Sequence, residues 1–179
     1  MRKIPHYLID ANCINARQKN EDINKLEDLR NKGKISLSLP EIAYDEAGFR
    51  STLRQKKLEG YLFEGVVDQE RRFEYKYTQI ENILFPNGAK KQNQKNDVKI
   101  LVYSAITGIP FISMDGASKS QPGGMLGNKV LLKKFGVKIL SPSEALAEIA
   151  STWRKSEMYS ARVGRISLRN LPHENDAKP

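Results

Sequence analysis

The chain has 179 residues, enough for one domain with a buried core and a short tail. Its 39% hydrophobic content excludes a wholly disordered chain, and 30 basic against 21 acidic side chains leave a net charge of +9, which points to a polyanionic partner. One cysteine excludes an intramolecular disulfide and suits a reducing compartment, and with only two histidines it furnishes no structural zinc site. No apolar run approaches the ~20 residues of a membrane helix. The apolar run before Asp10 is too short for a signal-peptide core, which predicts a cytoplasmic protein.

Taken in chain order, Tyr7-Leu8-Ile9 reads as a buried strand ending at Asp10. A helix is expected over Asn12–Asn31, with Ile14, Ile23, Leu26 and Leu29 at helical spacing, Asn12 as its cap and Gly33 past its end. Ile35–Leu39 alternates with period two, as a strand does. Pro40 suits the first position of the next helix, expected from Glu41 to Lys57. Gly60 and Gly65 bracket a break, and residues 68–84 read as a further helix. The polar stretch 86–95 reads as an exposed loop. Helical pattern resumes at Asn96 or Asp97 and runs to Thr107, with Gly108 closing it. Pro110–Met114 reads as a strand ending at Asp115, followed by a Gly/Ser/Pro-rich loop from Gly116 to Gly127. A short helix over Val130–Phe135, a strand over Val137–Leu140 and a last helix from Pro142 to about Glu157 complete the pattern. Single strands alternate with helices, which predicts an α/β fold: three layers, α/β/α, around a central parallel sheet. The expected domain spans residues 1–155, and residues 156–179 form a basic, flexible C-terminal extension.

Two of these strands end in aspartate, Asp10 and Asp115. In one parallel sheet both carboxylates lie at the carboxyl edge, where ligands bind. Asp97, opening a helix that returns to the second of these strands, is expected at the same edge, and Glu46 is within reach of the same rim. Four carboxylates at one point repel one another unless a hard cation binds them. Oxygen ligands without His or Cys suit Mg²⁺ or Mn²⁺, whose chemistry includes phosphodiester hydrolysis. Singly, each acid is more often a helix cap or a solvated residue, and Asp45 or Glu41 could take the place of Glu46.

Four segments resemble the motifs of the PIN domain family. These are Tyr7–Asn12, with Asp-x-Asn after an apolar strand; Leu39–Ala47, a proline-led helix bearing Glu46; Asp97–Ala105; and Gly108–Asp115, a strand ending in Ser-x-Asp. Val137–Pro142 resembles the family's last strand and the helix after it, so the likeness covers roughly residues 5–150. The resemblance implies a metal-dependent ribonuclease using Mg²⁺ or Mn²⁺. It makes Asp10, Glu46, Asp97 and Asp115 the acidic catalytic and metal-binding set, with Asn12 and Ser113 as supporting polar residues. It also implies a homodimer and, for toxins of the VapC type, an antitoxin partner. The long stretch between Glu46 and Asp97, and the tail, depart from a compact toxin.

Residues 50–99 carry 11 basic and 7 acidic side chains, so much of the positive excess lies there. Arg50 and Arg54 on one expected helix, and Arg71, Arg72 and Lys76 on the next, are candidates to hold an RNA backbone. Tyr75 and Tyr77 are placed to stack on bases, although packing between helices is the commoner role for such residues. Cys13 reads as a small buried apolar group. Ser113 has no triad partner, and Gly123, Gly124 and Gly127 match neither a P-loop nor a dinucleotide fingerprint. The function expected is an endoribonuclease. The rival from another class is a non-catalytic RNA-binding or assembly module, and a third is aspartyl phosphoryl transfer on a flavodoxin-like sheet.

Overall fold

The computed structural model describes residues 4–16, 18–42, 61–64, 70–119 and 121–169. Clustering of the chain gives two units, Met1–Leu146 and Ala147–Pro179; the whole sheet lies in the first.

β1 (His6–Ile9) is followed by α1 (Ala11–Asn15) and α2 (Glu21–Asn31), then β2 (Ser36–Pro40). The single helix expected here is broken. Gln18 adopts φ +70, a conformation no helix continues through. Asn20 then caps α2, its side chain accepting from the Ile23 N–H at 3.1 Å. Pro40 is the last residue of β2, opposite Glu64, rather than the first turn of a helix. The helix expected over Glu41–Lys57 lies, beyond Ile42, outside the described residues.

β3 (Leu62–Glu64) falls where the sequence shows only a break between two glycines. Its entry is anchored by a buried pair: the Tyr61 hydroxyl donates to Glu27 at 2.5 Å, while the Arg30 guanidinium lies 4.3 Å from the Tyr61 ring centre. The hydroxyl gives the buried Glu27 carboxyl a hydrogen-bond partner in place of water.

α3 (Glu70–Leu84) packs against α4 (Gln92–Thr107). α4 starts earlier than the apolar pattern indicates. Its first turn, Gln92–Lys95, is polar and largely exposed, so it carries no apolar periodicity; the Gln94 side chain fixes it by accepting from the N–H groups of Lys90 and Lys91, both at 2.9 Å. Asp97 therefore sits in the second turn, not at the helix start.

β4 (Phe111–Ile112) leads through the loop after Asp115 to α5 (Gly124–Gly127) and α6 (Lys129–Lys133), then β5 (Ile139–Leu140) and α7 (Pro142–Arg169). α7 continues to Arg169, past the end expected near Glu157. Ser141 and Glu144 begin it with a reciprocal pair: the Ser141 N–H donates to Glu144 Oε2 at 2.9 Å, and the Glu144 N–H donates to Ser141 Oγ at 3.2 Å.

All four strand pairings are parallel, in the order β3-β2-β1-β4-β5. The result is an α/β protein with a parallel sheet flanked by helices, the fold class expected from the sequence. Central strands show continuous burial: Leu8, Ile9, Phe111 and Ile112 are inaccessible to solvent. Among the described residues no helix is long and apolar enough to cross a membrane.

Sheet order locates the site. From β1 the chain moves outward to β2 and β3, crosses back through α3 and α4 to β4 on the other side of β1, and continues outward to β5. With right-handed crossovers, the helices leaving β1 and those leaving β4 cover opposite faces. The crevice between β1 and β4, at their carboxyl ends, is therefore the topological switch point where such sheets bind ligands. Asp10 directly follows β1, and Asp115 lies three residues past the end of β4, which ends at Ile112 rather than at the expected Met114.

Candidate functional site

Asp10 occupies the N-cap position of α1, with an extended backbone (φ −79, ψ 149) and no capping bond from its side chain. Its backbone N–H donates to the Ile112 carbonyl at 2.9 Å, continuing the pairing of β1 with β4. Its carboxylate faces the neighbouring strand instead of its own helix, and Oδ2 accepts the Ser113 hydroxyl proton at 2.7 Å. An aspartate used as a cap would bond the free N–H groups of its own first turn.

Ser113 joins the two aspartates. It is completely buried, its Oγ donates to Asp10, and the same Oγ accepts from the Asp115 N–H at 3.0 Å. One hydroxyl thus orients a carboxylate from β1 and the backbone that bears a second carboxylate beyond β4. Asn12, exposed on α1, reaches the same segment: its Oδ1 accepts from the Met114 N–H at 3.4 Å. Asn12 is the second residue of α1, and its side chain ties the loop after β4 in place of the expected helix cap.

Asp115 is held from the far side. Its Oδ2 accepts from the Met125 N–H at 3.1 Å, and its carbonyl accepts from the Leu126 N–H at 3.2 Å. Burial raises the Asp115 carboxyl above the usual aspartate range, and the Met125 N–H opposes that rise without cancelling it. A desolvated carboxylate at the sheet edge is a group that a cation would stabilise.

The loop between these contacts is an ordered turn closed by glycine. Gly124 has φ +57, and a Cβ there would lie 2.1 Å from the Gly116 oxygen and 2.3 Å from its carbonyl carbon. Asn128 braces the turn, its Nδ2 donating to the carbonyls of Pro122 and Gly124, both at 2.8 Å. Gly124 and the Met125 N–H are site components that motif spacing misses. The Gly123-Gly124 pair after Pro122 was the available signal, since a positive φ beside a close backbone approach calls for glycine.

Other expected residues fall differently. Asp97, expected to join Asp10 and Asp115, is partly buried on α4 and is not grouped with them as a metal-holding set. Glu46, Arg50 and Arg54 lie outside the described residues, as does the side chain of Arg71. Arg72 is exposed on α3. Lys76 is committed to structure: its ammonium donates to the Phe135 carbonyl at 2.6 Å, closing the end of α6. Phe73 and Tyr77 stack on each other at 6.1 Å, whereas Tyr75 is 64% exposed. Cys13 is fully buried, its thiol directed at the Ile112 carbonyl and its pKa pushed up by burial, so it has the inert apolar role expected of it.

Among the described residues no group of three or more His, Cys, Asp or Glu side chains is arranged to hold a metal ion. The donor set at the switch point is two aspartates, all oxygen. That chemistry fits Mg²⁺ or Mn²⁺, because Mg²⁺ is often held by one or two carboxylates and completes its shell with water and substrate phosphate.

The chain matches no protein-family model and no curated protein. Among solved structures, the crystal structure of VapBC2 from Rickettsia felis bound to a DNA fragment from their promoter is similar to this chain, with a TM-score of 0.48 and 14% identity, covering 76% of this chain and 98% of that chain.

Proposed function

We propose that the protein is a PIN-like nuclease that hydrolyses RNA phosphodiester bonds with Mg²⁺ or Mn²⁺ at the β1–β4 switch point. The observation that carries this reading is the Asp10–Ser113–Asp115 arrangement: one buried hydroxyl organises two aspartates from distant segments at the edge where parallel sheets bind ligands. Asp10 and Asp115 are the principal metal ligands; Asp97 is not grouped with them, and Glu46 lies outside the described residues. When bound, the ion supplies a polarised water and neutralises charge on the phosphoryl oxygens. Ser113 holds the Asp10 carboxylate in one orientation, and Met125 holds that of Asp115, so neither must reorganise when the charged substrate arrives.

The test is cleavage of single-stranded RNA by wild type, Asp10→Asn and Asp115→Asn, with and without chelator. Wild type should cleave only with the metal, and both variants should fall to background. Equal cleavage by variants and wild type would falsify the assignment. A second reading, a non-catalytic RNA-binding module, is favoured by the lack of a three-carboxylate group among the described residues. RNA binding that persists in both variants, without metal-dependent turnover by wild type, would establish it.

A further inference from the structure

A cavity of about 330 Å³ lies between the α3–α4 connection and the loop that follows β4. Its walls include Lys90, Lys91 and Lys119, together with Gln94, Pro86 and Pro122. No carboxylate lines it, and among the described residues no ion pair engages any of the three lysines. Three lysines lining one concavity with no carboxylate make it positive, and an anion relieves that charge.

The placement ties the cavity to the acidic edge. Lys119 is four residues past Asp115, on the loop that Gly124 closes against Gly116. Gln94 is three residues before Asp97 on α4, and its amide oxygen fixes the backbone of Lys90 and Lys91. One wall of the cavity is thus an extension of the Asp115 loop, and the other is the start of the Asp97 helix. The positive end of α4 adds to the lysine charge there.

We infer that this cavity is a phosphate subsite that grips the backbone of a single-stranded nucleic acid beside the acidic edge. The inference rests on the nuclease reading for its choice of ligand. Lys90, Lys91 and Lys119 contact one or two backbone phosphates away from the bond being cut, and Pro86 and Pro122 offer an apolar wall to the adjoining sugar and base. Contacts of this kind carry no base code, so the subsite sets affinity and register rather than sequence preference.

The experiment uses a fluorescent uridine oligonucleotide, full-length protein and a chelator to prevent turnover. Affinity is measured by anisotropy over a range of salt concentrations. Variants are Lys90→Ala/Lys91→Ala/Lys119→Ala, the corresponding triple Arg variant, Lys133→Ala as a surface control, and Asp10→Asn. Each lost phosphate contact lowers the salt slope by about 0.7, so the triple alanine variant should lose about 0.7 to about 1.4 in slope and about tenfold in affinity. The arginine variant should retain both, and Lys133→Ala should match wild type. Melting temperatures confirm that the variants are folded. An unchanged slope in the triple alanine variant overturns the subsite, as does an equal loss in the Lys133→Ala control. A separate cleavage assay of Asp10→Asn, with Mg²⁺ and without chelator, separates the two readings. If it still cleaves, the nuclease assignment fails, yet a lysine-dependent salt slope still establishes the subsite.

Discussion

The Ser113 hydroxyl donates to Asp10 at 2.7 Å across 103 positions of sequence, and its oxygen accepts from the Asp115 amide at 3.0 Å. The bond crosses from one central strand to the other and is completely buried on the serine side. Ser113→Ala should lower metal-dependent cleavage by about 10–100-fold, the usual effect of removing a partner that orients a metal ligand. It should also cost about 1–2 kcal/mol, because the Asp115 N–H loses its acceptor. Measured kcat/KM and chemical denaturation check the two effects separately; unchanged metal affinity would sever the link between Ser113 and the site.

Asp115 makes the apo protein pH-sensitive. Burial raises its carboxyl pKa, so the folded state holds the proton more tightly than the unfolded chain. The stabilising contribution is complete below the unfolded value of about 3.9 and is lost as pH rises through the higher folded value. In chelator, wild type should therefore lose stability relative to Asp115→Asn as pH rises from about 4 through the raised folded value. Adding Mg²⁺ at neutral pH should shrink the difference. Melting curves across this range are the measurement, and a difference that does not vary with pH would contradict the assignment.

Gly124 and Gly123 separate steric from conformational cost. Both have positive φ, but only at Gly124 does a Cβ meet backbone, 2.1 Å from the Gly116 oxygen; at Gly123 it meets the Asn128 side chain at 3.1 Å. Gly123→Ala should cost about 1 kcal/mol, the left-handed penalty alone. Gly124→Ala should cost about 3 kcal/mol and displace the Met125 N–H from Asp115, lowering cleavage as well. Equal destabilisation of the two variants would show that the turn yields freely.

Glu144 starts α7 through Ser141 and also pairs with the Lys129 ammonium. That ammonium, with the Ser141 N–H, holds the Glu144 carboxyl below the usual glutamate range. A lowered carboxylate stabilises the fold above its unfolded pKa and ceases to do so as pH falls through the folded value. Glu144→Ala should cost about 1 kcal/mol at neutral pH, most of it the lost cap, since the ion pair is substantially exposed. Glu144→Gln should recover most of that loss; if both variants melt alike, the ion pair outweighs the cap.

Much of the fold was legible because central parallel strands are buried on both faces. Tyr7–Ile9 and Phe111–Ile112 are uninterrupted apolar runs, and an aspartate closes the segment after each. Less was legible where local pattern is silent. β3 is three residues long, too short to show a period. The first turn of α4 faces solvent and resembles a loop. The break at Gln18 rests on a non-glycine residue with positive φ, which composition does not announce.

By itself the sequence determined that Asp10 directly follows a buried strand and that Asp115 lies in the segment after another, although that strand, β4, ends at Ile112 rather than at the expected Met114. Tertiary structure alone decided that β1 and β4 are neighbours, that they straddle the switch point, and that Ser113 spans them. It also brought Lys119 of one loop to the cavity lined by Lys90 and Lys91 of another. The division is physical. Strand and helix character arise from side-chain periodicity over a few residues. Which strands lie side by side is settled by crossovers and long-range burial, and no local pattern encodes that choice.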